Sequence, residues 1–321
     1  MIPRLVLAHL PTPIEFLPRL TGALGGPRIW VKRDDQTGVA LGGNKVRKLE
    51  YLLAEAQANG AHTLVTVGGI QSNHCRQTAA LAARLGLDCI LVLSGEPEEV
   101  PTGNVLLDTL FGAKIVWTSL SDRDQTLRQV FEQAWTDGSR PYLIPLGAST
   151  PTGTIGYYTA FQEFMVQETP VDWIVVASSS GGTQAGLVLG AAVSDWSGKI
   201  LGISIDHSAR ELQANVAQLA TQAAGRLGLK AGIDPESVLV NDQYLGDGYA
   251  VMGDPELEAI RLFAKTEGLL LDPVYTGRAA AGMIDLVRGG FFAEKDRILF
   301  WHTGGSPAIF ARTYASALSG G

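Results

Sequence analysis

The sequence predicts an α/β protein built on parallel sheets, and two observations lead to this fold class. The first is that short apolar runs alternate with longer segments of helical periodicity along the chain. The second is that loops rich in glycine and serine directly follow several of these apolar runs. Repeated β-α-β units make the strands of a sheet parallel, with their carboxyl ends at one edge. We therefore expect two open twisted parallel sheets, with these loops converging on one site.

The individual elements can be assigned in chain order. Runs rich in Val, Ile and Leu predict strands at residues 63–67, 89–93, 114–117, 142–144, 173–177, 200–205 and 298–301. Apolar residues at helical spacing predict helices between residues 44 and 60, at 72–85, 105–111 and 155–166, from 183 onward, and at 211–227. Glycine- or serine-bearing loops follow the strands that end at 67, 177 and 301, so we expect ligands to bind there.

Composition and charge exclude several classes of protein. The 321 residues suit two domains, and 46% of them are apolar, which is enough to fill two cores. A net charge of −7 without a basic cluster argues against a nucleic-acid partner. The sequence has no apolar run of membrane-spanning length and does not begin like a signal peptide, so we expect a cytoplasmic protein without a membrane partner. The spacing of Cys75 and Cys89 indicates neither a disulfide nor a metal site.

The segment from Leu41 to Glu50 places two glycines before a lysine at the predicted start of a helix. Asn44 is the expected N-cap, so Lys45 falls in the first turn. The positive end of the helix dipole disfavours an ammonium there by about 0.3–1 kcal/mol, and Lys48 on the same face adds repulsion. Both effects lower the pKa of Lys45 and favour a nucleophilic amine. The alternative is that both lysines are solvated surface residues; a triphosphate-binding loop is excluded by the spacing.

The loop after the strand at 173–177 opens another predicted helix. It resembles a dinucleotide-binding loop, since Asp206 closes the next strand, but Thr183 stands where the middle glycine must let the backbone approach a pyrophosphate. A single phosphate suits the loop better, because free N–H groups at a helix N-terminus and nearby hydroxyls form an anion site. An ordinary β-α turn would explain the glycines but not the hydroxyls. The residues expected in the phosphate site are Ser179, Ser180, Gly181, Gly182 and Thr183.

An activated lysine and a monophosphate site together predict pyridoxal 5′-phosphate as the cofactor. The aldehyde of this cofactor requires an amine, and its phosphate requires an anchor. Lys45 is therefore the predicted Schiff-base lysine.

Five motifs carry a resemblance to a known family. They are GGNKVRKLEY at 42–51, GIQSNH at 69–74, SSGGT at 179–183, DPVYTG at 272–277 and HTGG at 302–305. In this order, and over nearly the whole chain, they resemble the D-cysteine desulfhydrase and 1-aminocyclopropane-1-carboxylate (ACC) deaminase family of fold-type II pyridoxal-phosphate enzymes. The resemblance implies a large cofactor domain (residues 1–49 and 163–321), a small domain (50–162) that closes over the substrate, and a homodimer.

The resemblance also implies roles for individual residues. Catalytic roles fall to Lys45, Ser72, Tyr249 and Tyr275. Cofactor contacts fall to Lys45, Lys48, Asn73, Ser180, Gly181, Gly182, Thr183 and Thr303. Contacts to a small amino-acid substrate fall to Ser72, Asn73, His74, Tyr275 and Thr276, with the carboxylate received by the loop at 72–74. No metal is implied.

Two positions bear on the substrate. Members of the family that open the ACC ring resemble one another in a glutamate and a leucine where this chain has Thr276 and Thr303. A neutral hydroxyl near the pyridine nitrogen gives a weaker electron sink, which suits a willing leaving group such as hydrosulfide. We therefore expect β-elimination from D-cysteine. ACC deamination, L-cysteate desulfonation with help from His74 or residues around Arg278, and a non-catalytic module that retains the fold stay as alternatives.

Overall fold

The computed structural model describes residues 2–319. Its strands are β1 (Ile14–Phe16), β2 (Arg28–Arg33), β3 (Thr63–Gly69), β4 (Asp88–Ser94), β5 (Lys114–Thr118), β6 (Pro141–Leu143), β7 (Trp173–Ser178), β8 (Lys199–Ser204), β9 (Leu239–Asn241) and β10 (Arg297–His302). Its α-helices are α1 (Pro18–Leu24), α2 (Lys45–Ala58), α3 (Asn73–Leu85), α4 (Gly103–Leu110), α5 (Arg123–Thr136), α6 (Pro151–Val166), α7 (Gly182–Val193), α8 (Ala209–Leu227), α9 (Asp254–Glu267), α10 (Thr276–Arg288) and α11 (Arg312–Ser319). Short 3-10 helices cover Asp34–Gln36, Val39–Leu41, Leu146–Ala148, Pro235–Ser237 and Ser306–Phe310.

The larger sheet joins the two ends of the chain. Its strand order is β1-β2-β10-β7-β8-β9, and all its pairs are parallel except β1 with β2. The interior strands β7, β8 and β10 are buried along nearly their whole length, as expected for a parallel sheet with helices on both faces. The predicted strands of this sheet are confirmed. The antiparallel edge strand β1, together with β2 and β9, was not predicted.

The smaller sheet is entirely parallel, as predicted. Its order is β5-β4-β3-β6, which places β3 in its interior. Strand β3 is buried from Thr63 to Gly68, and α3 begins only a few residues after it ends. The loop between β3 and α3 therefore emerges at the carboxyl edge of this sheet, where a ligand site is expected.

The predicted boundary between the two domains, at residue 162, lies inside helix α6. Helix α6 packs on the larger sheet, since Tyr157 and Phe161 share a core with Leu299 and Trp301. A side chain at Gly186 of α7 would lie 2.5 Å from the carbonyl oxygen of α6 residue Thr154, so the two helices are in close backbone contact. Helix α6 thus packs with the larger sheet, while the smaller sheet is built from β3 to β6.

Candidate active site

One cavity of about 590 Å³ is lined by the loops at which the sequence predicts ligand binding. The loop after β3, the loop after β7 and the loop after β10 all line it, and so does Lys45 at the start of α2. The predicted convergence of these loops is confirmed. The physical reason is that each loop follows the carboxyl end of a parallel strand, and the carboxyl edges of the two sheets face the same space.

Lys45 lies in the cavity wall rather than in bulk solvent. A Cβ placed on Gly147 would lie 3.5 Å from the Lys45 Nζ atom, so this amine sits against the backbone of the 3-10 helix after β6. Burial lowers the pKa of Lys45 to about 8, against an opposing effect of Asp206. The direction agrees with the prediction, but the cause is removal of the amine from water, which the prediction did not invoke.

Asn44 precedes α2 as predicted, but its side chain makes no capping hydrogen bond. Its Nδ2 atom donates instead to Thr183 Oγ1 at 3.0 Å, and its backbone N–H donates to the Thr303 carbonyl oxygen at 3.0 Å. Asn44 therefore ties the start of α2 to the loops after β7 and β10. The N-cap interpretation of its side chain was wrong because these loops offer stronger partners in the folded chain.

Lys48 and a serine that the sequence reading missed complete the predicted phosphate site. The fully buried Lys48 donates from Nζ to the Gly147 carbonyl oxygen at 3.2 Å and to Ser149 Oγ at 3.1 Å. The Ser149 and Ser180 hydroxyls lie 2.7 Å apart, and the Gly182 N–H donates to Ser149 Oγ at 3.3 Å. Burial, followed by the charge of Lys45, holds the pKa of Lys48 well below its usual value. An anion bound beside Lys48 would raise this pKa again and favour the positively charged ammonium.

This site has the shape and the donors that a monophosphate requires. Gly181 has a positive φ of 77°, and α7 begins at the next residue, so free N–H groups of its first turn face the site. A Cβ on Gly182 would lie 2.9 Å from Lys48 Nζ and 2.7 Å from Ser149 Oγ, so a side chain would fill the cradle. The hydroxyls of Ser180 and Thr183, the ammonium of Lys48 and the helix N-terminus fit the phosphate of pyridoxal phosphate.

The loop at 72–74 presents three different groups to the cavity. Ser72 Oγ accepts the Cys75 N–H at 3.2 Å and caps α3, while Asn73 Oδ1 accepts a hydrogen bond from Asn104 Nδ2 at 3.0 Å. His74 Nε2 lies 2.8 Å from Thr66 Oγ1, whose only proton goes to the Ile144 carbonyl oxygen.

The Nε2 atom of His74 must therefore carry the proton in that contact. Burial lowers the pKa of His74 well below its usual value, so the ring is neutral. A neutral ring brings no positive charge to the loop.

The two predicted tyrosines meet above the cavity. Their hydroxyl oxygens lie 2.6 Å apart, and both side chains line the cavity. Burial raises the pKa of Tyr249 to about 12 and that of Tyr275 well above its usual value. Both phenols are therefore protonated at neutral pH and can act as hydrogen-bond donors or acids.

Comparisons with known proteins agree with this geometry. The sequence pattern of the family described as "Pyridoxal-phosphate dependent enzyme" matches residues 5–304. The chain belongs to this family. It is 44% identical over 318 residues to proteins described as D-cysteine desulfhydrase from Salmonella choleraesuis (strain SC-B67) and from Salmonella typhi, covering 96% of this chain and of each relative.

Solved structures confirm the fold. A crystal structure described as an ACC deaminase homologue superposes with a TM-score of 0.91 at 38% identity, covering 99% of this chain and 96% of the other. A pyridoxal 5′-phosphate-dependent aspartate racemase superposes with a TM-score of 0.67 at 17% identity, over 92% and 90% of the two chains, and shares the fold. The cofactor of this pyridoxal-phosphate dependent enzyme is pyridoxal 5′-phosphate, and the fold is the predicted fold type II.

Thr276 does not lie where the sequence reading placed it. It is fully buried beneath the cavity, and its hydroxyl donates to Asp272 Oδ1 and accepts the Asp272 N–H, each at 2.7 Å. Asp272 Oδ2 accepts the N–H groups of Val274 and Tyr275. Thr276 thus stabilises the turn that presents Tyr275, and we withdraw its predicted contact with the substrate. Thr303 does line the cavity.

Arg278 is also engaged away from the cavity. Its guanidinium donates to Glu256 Oε1 at 2.7 Å and to three carbonyl oxygens, of Ile205, Gly248 and Val251. Two of these carbonyls flank Tyr249, so Arg278 fixes the loop that carries this tyrosine. Arg278 is buried and does not line the cavity, so it is not placed to bind an anionic substrate.

Several residues of the site were not predicted from the sequence. Ser149 and Gly147 follow β6, a short strand whose carboxyl end belongs to the same edge as the marked loops, and this position was the signal that could have found them. Ser179, predicted in the phosphate site, turns its hydroxyl to Asp206 Oδ2 at 2.8 Å instead. Within residues 2–319, no cluster of metal-ligating side chains and no helix able to span a bilayer is found.

Proposed function

We propose that this chain is a carbon–sulfur lyase that converts D-cysteine and water to pyruvate, hydrogen sulfide and ammonia by β-elimination. The observation that carries the proposal is the position of Lys45, an amine of lowered pKa that shares one cavity with the phosphate site. The 44% identity to proteins described as D-cysteine desulfhydrases supports the choice of substrate.

Bound pyridoxal phosphate would supply an aldehyde for amines and an electron sink for negative charge at the substrate Cα. The Lys45 amine, with a pKa near 8, is well matched to accept the Cα proton near neutral pH. Ser72 and Asn73 at the N-terminus of α3 bind the substrate carboxylate, because free N–H groups and the positive helix end favour an anion.

Tyr249 and Tyr275 are the acids that serve the leaving group. Their oxygens share a single hydrogen bond across 2.6 Å, so one of the two phenolic protons remains available to the departing sulfur. Tyr275 is held by the turn at Asp272, and Tyr249 is held by the loop that Arg278 fixes. The two acids are thereby positioned from separate elements.

The two groups named for binding a sulfonate do not support L-cysteate as the substrate. His74 is neutral, and Arg278 lies outside the cavity lining, where its guanidinium is bound by Glu256 and backbone carbonyls. ACC ring opening, by contrast, lacks a departing group that takes up the electron pair.

Replacing Lys45 tests the chemistry directly. Lys45→Ala is expected to reduce keto-acid release from D-cysteine by about a thousand-fold, since the proton acceptor is lost. The variant should also lose the visible absorbance of a lysine-bound cofactor, which is measured without substrate. Lys230→Ala, which changes an exposed lysine, is the matched control and should behave as the unmodified protein. A Lys45→Ala protein that keeps the visible band refutes the lysine assignment.

A substrate panel tests the reaction class. Purified protein is incubated separately with D-cysteine, L-cysteine, L-cysteate, D-serine and ACC, and keto acid is measured. Release from D-cysteine well above that from L-cysteate and ACC is expected. A colourless protein that binds NAD would instead favour the non-catalytic alternative.

We also propose that the protein is a cytoplasmic homodimer. The buried free thiols of Cys75 and Cys89 suit a reducing compartment. Light scattering coupled to size-exclusion chromatography tests the dimer, for which a mass of twice 34.1 kDa is expected.

A further inference from the structure

The substrate-binding loop is attached to the N-terminus of α4 by a set of side-chain hydrogen bonds. Gln71 donates from Nε2 to the Thr102 carbonyl oxygen at 3.1 Å, and its Oε1 accepts the Asn104 N–H at 2.7 Å. Asn104 Nδ2 donates to the Gln71 carbonyl oxygen at 2.8 Å and to Asn73 Oδ1 at 3.0 Å. Gly103, at a positive φ of 55°, allows the close approach, since a Cβ there would clash with Gln71 Oε1.

This arrangement determines which way two amides point. The Gln71 backbone carbonyl can only accept, so the Asn104 atom that faces it must be Nδ2. The second N–H of the same Nδ2 reaches Asn73, so the Asn73 atom at that contact must be the acceptor Oδ1. The orientation of the Asn73 amide is therefore dictated by a backbone carbonyl two residues earlier, through Asn104.

This orientation places the Nδ2 atom of Asn73 on the side of the amide opposite Asn104. This Nδ2 atom donates to no group among the described residues, and it lies 2.9 Å from the position a Cβ on Gly305 would occupy. Asn73 lines the cavity, so these free N–H groups are available to an acceptor bound there. With the amide reversed, an oxygen would face the cavity in their place.

The face of Asn104 turned away from the cavity is polar and incompletely paired. Asn104, Asp108 one turn later on α4 and Arg76 on α3 are all fully buried. Asn104 Oδ1, both carboxylate oxygens of Asp108 and two nitrogens of Arg76 find no partner within residues 2–319. Apart from the contacts to Gln71 and Asn73, the Asn104 side chain therefore has no further protein partner among these residues.

We propose that Asn104 is a positioning residue that acts through Asn73. By holding the Asn73 amide in one orientation, it keeps an N–H donor directed at the substrate carboxylate. This assignment rests on the proposed function for the identity of the substrate, while the orientation of the amide follows from the contacts alone.

Two substitutions test the proposal. Asn104→Ala frees the Asn73 amide and is expected to raise the KM for D-cysteine about tenfold, with a much smaller change in kcat. Asn104→Asp places an oxygen against Asn73 Oδ1, favours the reversed amide, and is expected to raise KM further. Asn59→Asp, which makes the same change at an exposed helix end, is the matched control and should leave KM within twofold.

A double-mutant cycle separates positioning from general loss of structure. In an Asn73→Ala background the amide is absent, so adding Asn104→Ala should change KM less than twofold. A full tenfold effect in that background would overturn the proposal, because Asn104 would then act by another route. Thermal midpoints of all variants identify any that are globally destabilised.

Two measurements do not depend on turnover. D-alanine lacks a leaving group, and its binding is followed through the absorbance of the bound cofactor; Asn104→Ala should weaken it by the same tenfold. Amide hydrogen exchange of residues 70–75 should accelerate in the same variant without any ligand. If the unmodified protein releases no keto acid from D-cysteine, the proposed function fails, whereas unchanged exchange and unchanged D-alanine binding in Asn104→Ala would overturn the role of Asn104.

Discussion

Two buried polar groups support the active site, and they differ in how completely they are paired. Behind α2, Asp34 accepts five hydrogen bonds: two from Arg47, and one each from Thr12, Tyr157 and Trp301. Below the substrate loop, Asp108 accepts none from the described residues, and Arg76 uses Nη2 on the Gly42 carbonyl while two of its nitrogens stay unpaired.

The two groups hold their neighbouring elements with different numbers of hydrogen bonds. Arg47 lies between Lys45 and Lys48 on α2, so a fully paired network holds the helix that carries both amines. Asn104 and Asp108 lie on α4 beneath the loop at 72–74, where several buried polar atoms have no partner among the described residues. Buried polar groups without protein partners cost free energy unless water fills the gap. The helix that carries Lys45 is thus held by a fully paired network. The loop at 72–74 instead lies on a group whose polar atoms are only partly paired.

The largest effect is expected on breaking the paired network. Asp34→Ala leaves the buried Arg47 guanidinium with only part of its counter-charge and should lower the free energy of unfolding by about 3–5 kcal/mol. Urea denaturation followed by circular dichroism measures this value. A loss below 1 kcal/mol would contradict the view that this network holds the larger unit together.

The same carboxylate predicts a pH window. Burial by itself would raise the pKa of Asp34, but Arg47 and its other partners lower it from 3.8 to about 2. A depressed folded-state pKa contributes stability above pH 4 that is lost as the pH falls towards 2. The difference in stability between the unmodified protein and Asp34→Ala should therefore shrink across that window.

An intermediate effect of opposite sign is expected at the unpaired group. Burial, only partly offset by Arg76, raises the pKa of Asp108 from 3.8 to about 8. The folded state then binds more protons than the unfolded state between about pH 4 and 8, so this group lowers stability as the pH rises through that range. Asp108→Asn should be nearly neutral at pH 5 and stabilising by about 1–3 kcal/mol at pH 9. Thermal midpoints at the two pH values provide the test, and equal shifts would contradict it.

The smallest effect on stability is expected at an exposed ion pair, which serves as the reference for the two buried groups. Arg288 and Glu258 form an exposed ion pair at 2.6 Å, with about half of each side chain accessible. Glu258→Gln should change the free energy of unfolding by no more than about 0.5 kcal/mol. The same urea denaturation experiment measures it, and a loss as large as that of Asp34→Ala would remove the contrast between buried and exposed pairs.

The parts of the site that were predictable are those encoded by local pattern. Lys45, the glycines at 181 and 182 and the loop at 72–74 each lie where a strand ends or a helix begins, and these positions are legible in the sequence. Ser149 and Asn104 were not predicted, because each acts on a residue about 30 positions away in the chain. The side chain of Asn44 was misassigned for the same reason, since its partner Thr183 belongs to a distant loop.

The sequence by itself determined the fold class and the family, and it predicted the amine and the phosphate site, because periodicity and short motifs report local backbone structure. The tertiary structure alone decided that burial is the main cause of the low Lys45 pKa, that Thr276 and Arg278 bind the backbone, and that the Asn73 amide turns its oxygen to Asn104. Desolvation and hydrogen-bond choice depend on which distant groups meet in space, and that information exists only once both sheets have closed around the cavity.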